Sequence, residues 1–253
     1  MDHETQQLKK RLQELADRSA RRQSWTFSEF LNLNEQSVLR TIPPWELAAP
    51  YRLWGGYEGA ERVVACFGSE DLCGYMQDPP IVCVKAEPLS RKFADPLSHR
   101  DVLGALMSLG IRREVTGDIL LQDNCAYMLC LESMADYIAS QLEQIRHTSV
   151  RCTVDAQVPE GVMPEPKGAA FVIASERLDA AVAAVYKLSR GESQKLFTQE
   201  KVFINGKCTT RPADMPAPGD VISVRGFGRF VYDGVERETK KGRLRVLVRL
   251  YPG

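Results

Sequence analysis

The sequence has no Cys-x-x-Cys pair among its seven cysteines and only three histidines. It also lacks any apolar run of about 18 residues, the length a helix needs to cross a bilayer. Cys66, Cys73, Cys83, Cys125, Cys130, Cys152 and Cys208 are scattered and odd in number. That is the pattern of free thiols in a reducing compartment, not of a disulfide framework or a zinc site. A glycine-rich cofactor loop between a strand and a helix is missing too, because Gly226-Phe227-Gly228 follows a strand pattern but precedes no helix. No metal and no cofactor are therefore expected. The start, Met1-Asp2-His3-Glu4, has neither the charged nor the apolar region of a signal peptide, so the expectation is a cytoplasmic protein without a membrane span.

Net charge is absent as well: 33 Lys and Arg balance 33 Asp and Glu. The balance hides an asymmetry. From Ser175 to Gly253 there are 15 basic residues against nine acidic ones, a net of +6, which leaves 18 against 24 in the residues before. A basic end on a neutral chain is the footprint of a module that meets phosphates, and the acidic remainder is a candidate surface for a protein partner.

Leu8, Leu12 and Leu15 recur at helical spacing among Lys9, Lys10, Arg11, Arg18, Arg21 and Arg22, which predicts an amphipathic helix with a solvated basic face. Further helix is expected over 26–33 and 35–41, up to Pro43-Pro44. Tyr51 to Tyr57 and Arg62 to Phe67 read as two strands around a glycine-containing turn. After Pro79-Pro80 the pattern predicts strand 81–87, helix 99–109, strands 118–122 and 125–131, helix 133–145 and strand 149–158. That β-α-β-β-α-β order predicts a ferredoxin-like sandwich, shared by RNA-recognition modules and many others. Of the aromatic residues by which such sheets stack bases, only Tyr127 stands out. A Pro- and Gly-bearing link, Pro159 to Gly168, follows. The chain thus reads as α+β in three domains: an N-terminal α+β domain over 1–78, the ferredoxin-like domain over 79–165 and a C-terminal module over 169–253.

In that module a helix starting near Ser175 carries Leu178, Val182 and Val185 on one face, and Ser189 with Glu192 three residues on caps a second short helix. Val202 to Gly206 alternates as a strand into an Asn-Gly turn. Pro218-Gly219-Asp220 precedes a strand over 221–224, and 243–250 is another. Basic residues Arg177, Arg190, Lys195, Lys201 and Lys207 lie on the helices and first strand, while Arg225 and Arg229 bracket Gly226-Phe227-Gly228. Glycine lets a phosphate backbone approach the main chain, and arginine matches phosphate oxygens with a planar fork.

Arg177-Leu178-Asp179, Leu188-Ser189-Arg190, Val202-x-Ile204-Asn205-Gly206, Pro218-Gly219-Asp220-x-Ile222 and Arg225-Gly226-x-Gly228-Arg229 together resemble the S-four RNA-binding domain, named for a small-subunit ribosomal protein. The ending Arg225 to Phe230 with Lys240-Lys241-Gly242-Arg243 is similar to the YlmH family. So are His99-Arg100-Asp101-x-Leu103-Gly104-Ala105-Leu106, Leu109-Gly110-Ile111-x-Arg113, Gly117-Asp118-Ile119 and Gly55-Gly56-Tyr57-x-x-Ala60-Glu61-Arg62. The resemblance implies a non-enzymatic factor on the large ribosomal subunit, touching ribosomal RNA and tRNA in quality control of stalled nascent chains. It implies RNA contacts at Arg177, Ser189, Arg190, Lys195, Lys201, Asn205, Lys207, Arg225 and Arg229, and from the middle domain at Arg100. One position departs from the family: Glu200 stands where a glycine is usual, which predicts an altered turn.

Enzymatic readings find less support in the residues. Arg177-Leu178-Asp179 resembles the motif that holds the catalytic aspartate of pseudouridine synthases, but the large catalytic domain is missing. A methyltransferase would need the absent cofactor loop. His99-Arg100-Asp101 is no dyad by adjacency alone, since neighbours on a helix point in different directions; Asp101 is expected to cap or pair and Arg100 to reach a phosphate.

Overall fold

The computed structural model describes residues 3–159, 161–163 and 165–251, so Met1, Asp2, Pro252, Gly253 and, in the expected link, Glu160 and Pro164 lie outside the described residues. The chain divides into two compact units, one running to Met163 and the other following it.

In the first unit, helix α1 (His3–Arg22) buries Leu12 and Ala16, with Leu8 and Leu15 beside them, as the leucine spacing predicted. Where helix was expected over 26–33 the structure has strand β1 (Thr26–Leu31). Thr26, Phe27 and Phe30 favour a pleated surface, and the strand ends at a reciprocal cap: the Asn32 side chain accepts from the Glu35 amide while the Glu35 carboxylate accepts from the Asn32 amide. Helix α2 (Leu33–Arg40) starts there. Strands β2 (Tyr51–Trp54) and β3 (Val63–Phe67) pair antiparallel, and β1 adds to the far side of β3 to give the order β1-β3-β2.

A one-turn helix α3 (Glu70–Cys73) leads on to β4 (Ile81–Pro88), α4 (His99–Ser108), β5 (Thr116–Gln122), β6 (Cys125–Leu131), α5 (Glu132–Gln141), β7 (Gln144–Ile145) and β8 (Thr148–Thr153). These strands form an antiparallel sheet in the order β5-β6-β4-β8-β7, so the first strand of the β-α-β-β-α-β series is central and lies between the third and the last. The helix expected to reach Ile145 stops at Gln141 because Leu142 and Ile145 turn into the core, where Ile145 is fully buried and Arg146 makes the turn in a left-handed conformation. The strand expected to reach Val158 ends at Thr153. The chain then doubles back, with the Ala156 amide donating to the Cys83 carbonyl. Ala156, Val158, Val162 and Met163 thereby pack on the sheet face formed by Cys83, Leu120, Cys125, Tyr127 and Leu129. That covered face is the one an RNA-recognition sheet would use for stacking, and Tyr127 is left only 8% exposed.

Motif residues from three stretches, 55–62, 109–113 and 117–119, meet inside this unit. The Asp118 carboxylate accepts from the Tyr57 hydroxyl (2.8 Å), the Glu61 amide (2.7 Å) and the Arg62 amide (3.1 Å). The buried Arg62 guanidinium donates to the carbonyls of Phe30, Arg113 and Thr116, and Arg113 donates to the carbonyls of Thr116 and Gly117. These bonds tie the β1-β3-β2 sheet region to β5. They leave no room for a side chain at Gly117, whose Cβ would come within 2.7 Å of the Phe30 ring.

The second unit is a six-stranded antiparallel sheet with two helices on one face. Strand β9 (Lys167–Ile173) begins inside the expected link and pairs along its length with β14; Gly168-Ala169-Ala170 carry little strand signal, and the pairing is decided by the partner strand. Helices α6 (Leu178–Tyr186) and α7 (Arg190–Thr198), strands β10 (Val202–Ile204), β11 (Lys207–Cys208), β12 (Val221–Val224), β13 (Gly228–Glu238) and β14 (Leu244–Leu250) follow, and the sheet order is β11-β10-β12-β13-β14-β9. Val202, Ile222, Val224, Phe230, Tyr232, Val246 and Val248 point toward the helices and form the core with Leu178, Val182, Leu196 and Phe197. Alternate residues therefore line the opposite face.

The turn at Glu200 is not the altered one expected. Glu200 adopts a left-handed φ of 53°, its amide bonds the Phe197 carbonyl and the Lys201 amide bonds the Leu196 carbonyl. These two bonds make the Schellman motif in which glycine is usual, so the glutamate carries the backbone strain without changing the turn. Glu200→Gly removes about 1–2 kcal/mol of left-handed strain and adds about 0.5–1 kcal/mol of chain entropy cost. Chemical denaturation is expected to show the second unit up to about 1 kcal/mol more stable.

Candidate nucleic-acid interface

Strand register builds the site. Val202 opposes Val224, so the next pair outward is Lys201 and Arg225, joined by the Arg225 amide donating to the Lys201 carbonyl at 2.9 Å. Two like charges directly opposite on neighbouring strands repel. Arg225 is exposed and holds its guanidinium carbon 4.7 Å from the Phe203 ring centroid, an attraction that fixes the cation and offsets part of the repulsion. On the same sheet face Phe203, Ser223 and Arg229 lie in one cross-strand row. Arg229 sits 4.0 Å over the Tyr251 ring, and the Tyr251 amide donates to its carbonyl. Lys201, Arg225 and Arg229 are thus brought to one end of the sheet, interleaved with aromatic rings.

The hairpin between β12 and β13 crosses to the helix side. Gly226 and Gly228 both have positive φ, 86° and 118°, and between them Phe227 is 44% exposed. Its ring meets Tyr186 at a centroid distance of 5.4 Å. Burial pushes the Tyr186 phenol up to about 12.

The other candidates are distributed differently. Arg177 is engaged: its Nε and Nη2 each donate at 2.9 Å to the Asp179 carboxylate, which is 2% exposed. Burial pushes the Asp179 carboxyl up, but the fork from Arg177 and the Gln194 amide outweigh it and hold it below the usual range. Asn205 is also occupied, donating to Asp220 at 2.7 Å and accepting from the Val221 amide at 2.9 Å, so it closes the β10-β11 turn against β12. Ser189 caps α7, accepting from the Glu192 amide while Glu192 accepts from the Ser189 amide. Ser189→Ala is expected to lower the stability of the second unit by about 1 kcal/mol in a urea titration, with RNA affinity unchanged at temperatures where both proteins are folded. Arg190 and Lys195 are exposed on α7, but five residues apart they point about 140° from each other around the helix. Lys207 is exposed on the edge strand β11.

Arg100 belongs to the first unit, exposed in the first turn of α4. Beside it Asp101 is a capping residue: its carboxylate accepts from the Ser98 amide and hydroxyl and faces Arg146 at 3.7 Å. These bonds hold the carboxyl below its ordinary value, the Ser98 hydroxyl foremost. Sequence reasoning missed Phe203, Phe227 and Tyr251; Phe203 and Phe227 lie within two residues of a singled-out lysine or arginine, whereas Tyr251 carried no such signal. Among the described residues no cluster of His, Cys, Asp and Glu is arranged to hold a metal ion, and no helix is long and apolar enough to cross a membrane.

Comparison with known proteins adds a lineage. A "Ribosome-associated protein quality control protein P2" of Bacillus subtilis (strain 168) is 30% identical over 226 residues, spanning 87% of this chain and 84% of that protein. A family model described as "Putative RNA-binding domain in YlmH" matches residues 86–157. The chain belongs to the YlmH family. A solved structure, the cell division protein ylmH from Streptococcus pneumoniae, aligns at a TM-score of 0.48 and 19% identity, covering 62% of this chain and 93% of that one. In this YlmH-family protein the matched stretch runs from β4 past β8, within the first unit. The basic and aromatic sheet end lies outside that stretch.

Proposed function

We propose that this protein binds structured RNA through residues 169–253, read as an S-four domain, and acts on the large ribosomal subunit beside tRNA in quality control of stalled nascent chains. The observation that carries the RNA reading is the Lys201/Arg225 pair. A fold that sets two cations opposite each other at the end of a sheet, one pinned over an aromatic ring, forgoes stability that an anionic partner would restore. Lys187, Arg190, Lys195 and Lys207 are exposed elsewhere on the same unit and add to its overall positive charge. The ribosomal setting is carried over from the relative named for ribosome-associated quality control. In the first unit we read the sandwich as ferredoxin-like. Its stacking face is covered, so RNA contacts there would come from exposed side chains such as Arg100.

A binding role fits the residues better than nucleotide modification. Asp179, the one carboxylate in a synthase-like motif, is buried and closed by the Arg177 fork.

The test is binding of the purified protein to ribosomal RNA stem-loops and to tRNA across a salt series, with co-sedimentation on large subunits. Affinity is expected to fall with salt at roughly 0.7 to 0.9 on the log–log slope per phosphate contact. Salt-independent binding, or none at low salt, would overturn the assignment.

A further inference from the structure

We propose that Phe227 is a stacking platform for an unpaired base of the bound RNA. The inference deepens the RNA reading above and rests on it.

A phenylalanine at the tip of a basic hairpin has no phosphate to bind, and its exposure needs a reason. The structure holds it in place: the Phe227 amide donates to the Val224 carbonyl at 3.0 Å, the glycines on either side supply positive φ, and Tyr186 supports the ring from the core side. Tyr186 is itself anchored against the buried Phe230 at 6.0 Å. The ring is thus braced on one side by Tyr186, with 44% of the residue open to solvent. Around the Gly226 Cβ position there is no atom within 4 Å, so a nucleic-acid backbone can come close to the main chain there. Arg225 and Arg229 lie two residues to either side, on the sheet face that carries Phe203 and Tyr251, and put positive charge on the two strands that lead into the hairpin.

That combination of an open ring, a close-approach glycine and flanking cations suits a base turned out of a helix. A continuous duplex keeps its base faces stacked on each other, whereas loops and bulges present them. Aromatic stacking of this kind is tolerant of base identity, so the platform would choose unpaired over paired RNA without choosing a sequence.

The experiment uses the full chain and two RNAs of equal length and charge. One is a stem-loop with 2-aminopurine in the loop; the other is a blunt duplex. Wild-type protein is expected to bind the stem-loop more tightly and to change its 2-aminopurine fluorescence. Phe227→Ala and Phe227→Leu should each lose roughly five- to hundredfold in stem-loop affinity, keep duplex affinity and salt slope, and abolish the fluorescence change. Phe227→Trp should retain both. Stem-loop affinity and fluorescence unchanged in Phe227→Ala would overturn the stacking role and leave RNA binding standing, with the ring free to serve a protein contact. Equal loss on both RNAs would overturn it as well. A wild-type chain that binds neither RNA at low salt sinks the RNA reading itself, and stacking with it.

Discussion

Replacing Asp118 with alanine is expected to destabilise the first unit by about 3–5 kcal/mol, the cost of leaving three donors unsatisfied and of removing one of the carboxylates that face the buried Arg62 and Arg113. The carboxylate receives three hydrogen bonds, and together with Glu114, and with Glu35 for Arg62, it offsets the positive charge of Arg62 and Arg113 in a site where burial pushes Arg113 down to about 10. Asparagine should not fully rescue the position, because donors approach both oxygens, Tyr57 and the Glu61 amide at Oδ2 and the Arg62 amide at Oδ1, so either orientation sets the side-chain NH2 against a donor. All three tryptophans, Trp25, Trp45 and Trp54, lie in this unit, so their fluorescence in urea reports its unfolding alone. A shift of less than about 1 kcal/mol in Asp118→Ala would show that the joint does not hold the unit together. The pH dependence has a defined sign. Burial raises the Asp118 carboxyl above its ordinary value despite its donors, so its linkage term is fully present below the unfolded pKa and is lost as pH rises through the folded one. Asp179 is lowered, so its contribution to the second unit is present above the ordinary aspartate range and lost as pH falls through the folded value. Mild acid should therefore weaken the second unit through Asp179 without weakening the first through Asp118.

The second large effect is on binding. Lys201→Gln with Arg225→Gln should lower RNA affinity by roughly tenfold or more at moderate salt and reduce the log–log salt slope by about 1.4–1.8. The same pair of changes should leave stability equal or slightly higher, by up to about 1 kcal/mol, because a cross-strand repulsion is relieved. Opposite signs for binding and stability are what distinguish an interface charge from a structural one. Arg177→Ala, by contrast, uncovers the buried Asp179 and should destabilise the second unit. If the Lys201/Arg225 variant binds as the wild type does, with an unchanged slope, the phosphate-facing surface lies elsewhere.

These contrasts trace how far the residues alone could be read. Local signals were sufficient where the physics is local. The Ser189–Glu192 cap, the leucine stripe of α1 and the Asn205-Gly206 turn follow from spacing within a few residues, and each is found in the structure. They failed where a distant partner decides. The stretch 26–31 is a strand because β3 lies beside it, and 167–173 is a strand because β14 does. The last strand of the middle sheet is shorter than its residues suggest because Ala156, Val158, Val162 and Met163 pack back over Tyr127.

The same division holds for the site. Composition and short-range spacing set the chemistry of the C-terminal end: its excess of cations, its two short helices and the glycines that let a hairpin tip be approached. Packing in three dimensions selects which cations are available, since pairing depends on what it brings within reach. It turned Arg177 toward Asp179 and Asn205 toward Asp220, and it set Lys201 against Arg225 with Phe203 beneath. Charge is a property of composition, whereas whether a charge is already neutralised depends on neighbours that are remote along the chain and close in space.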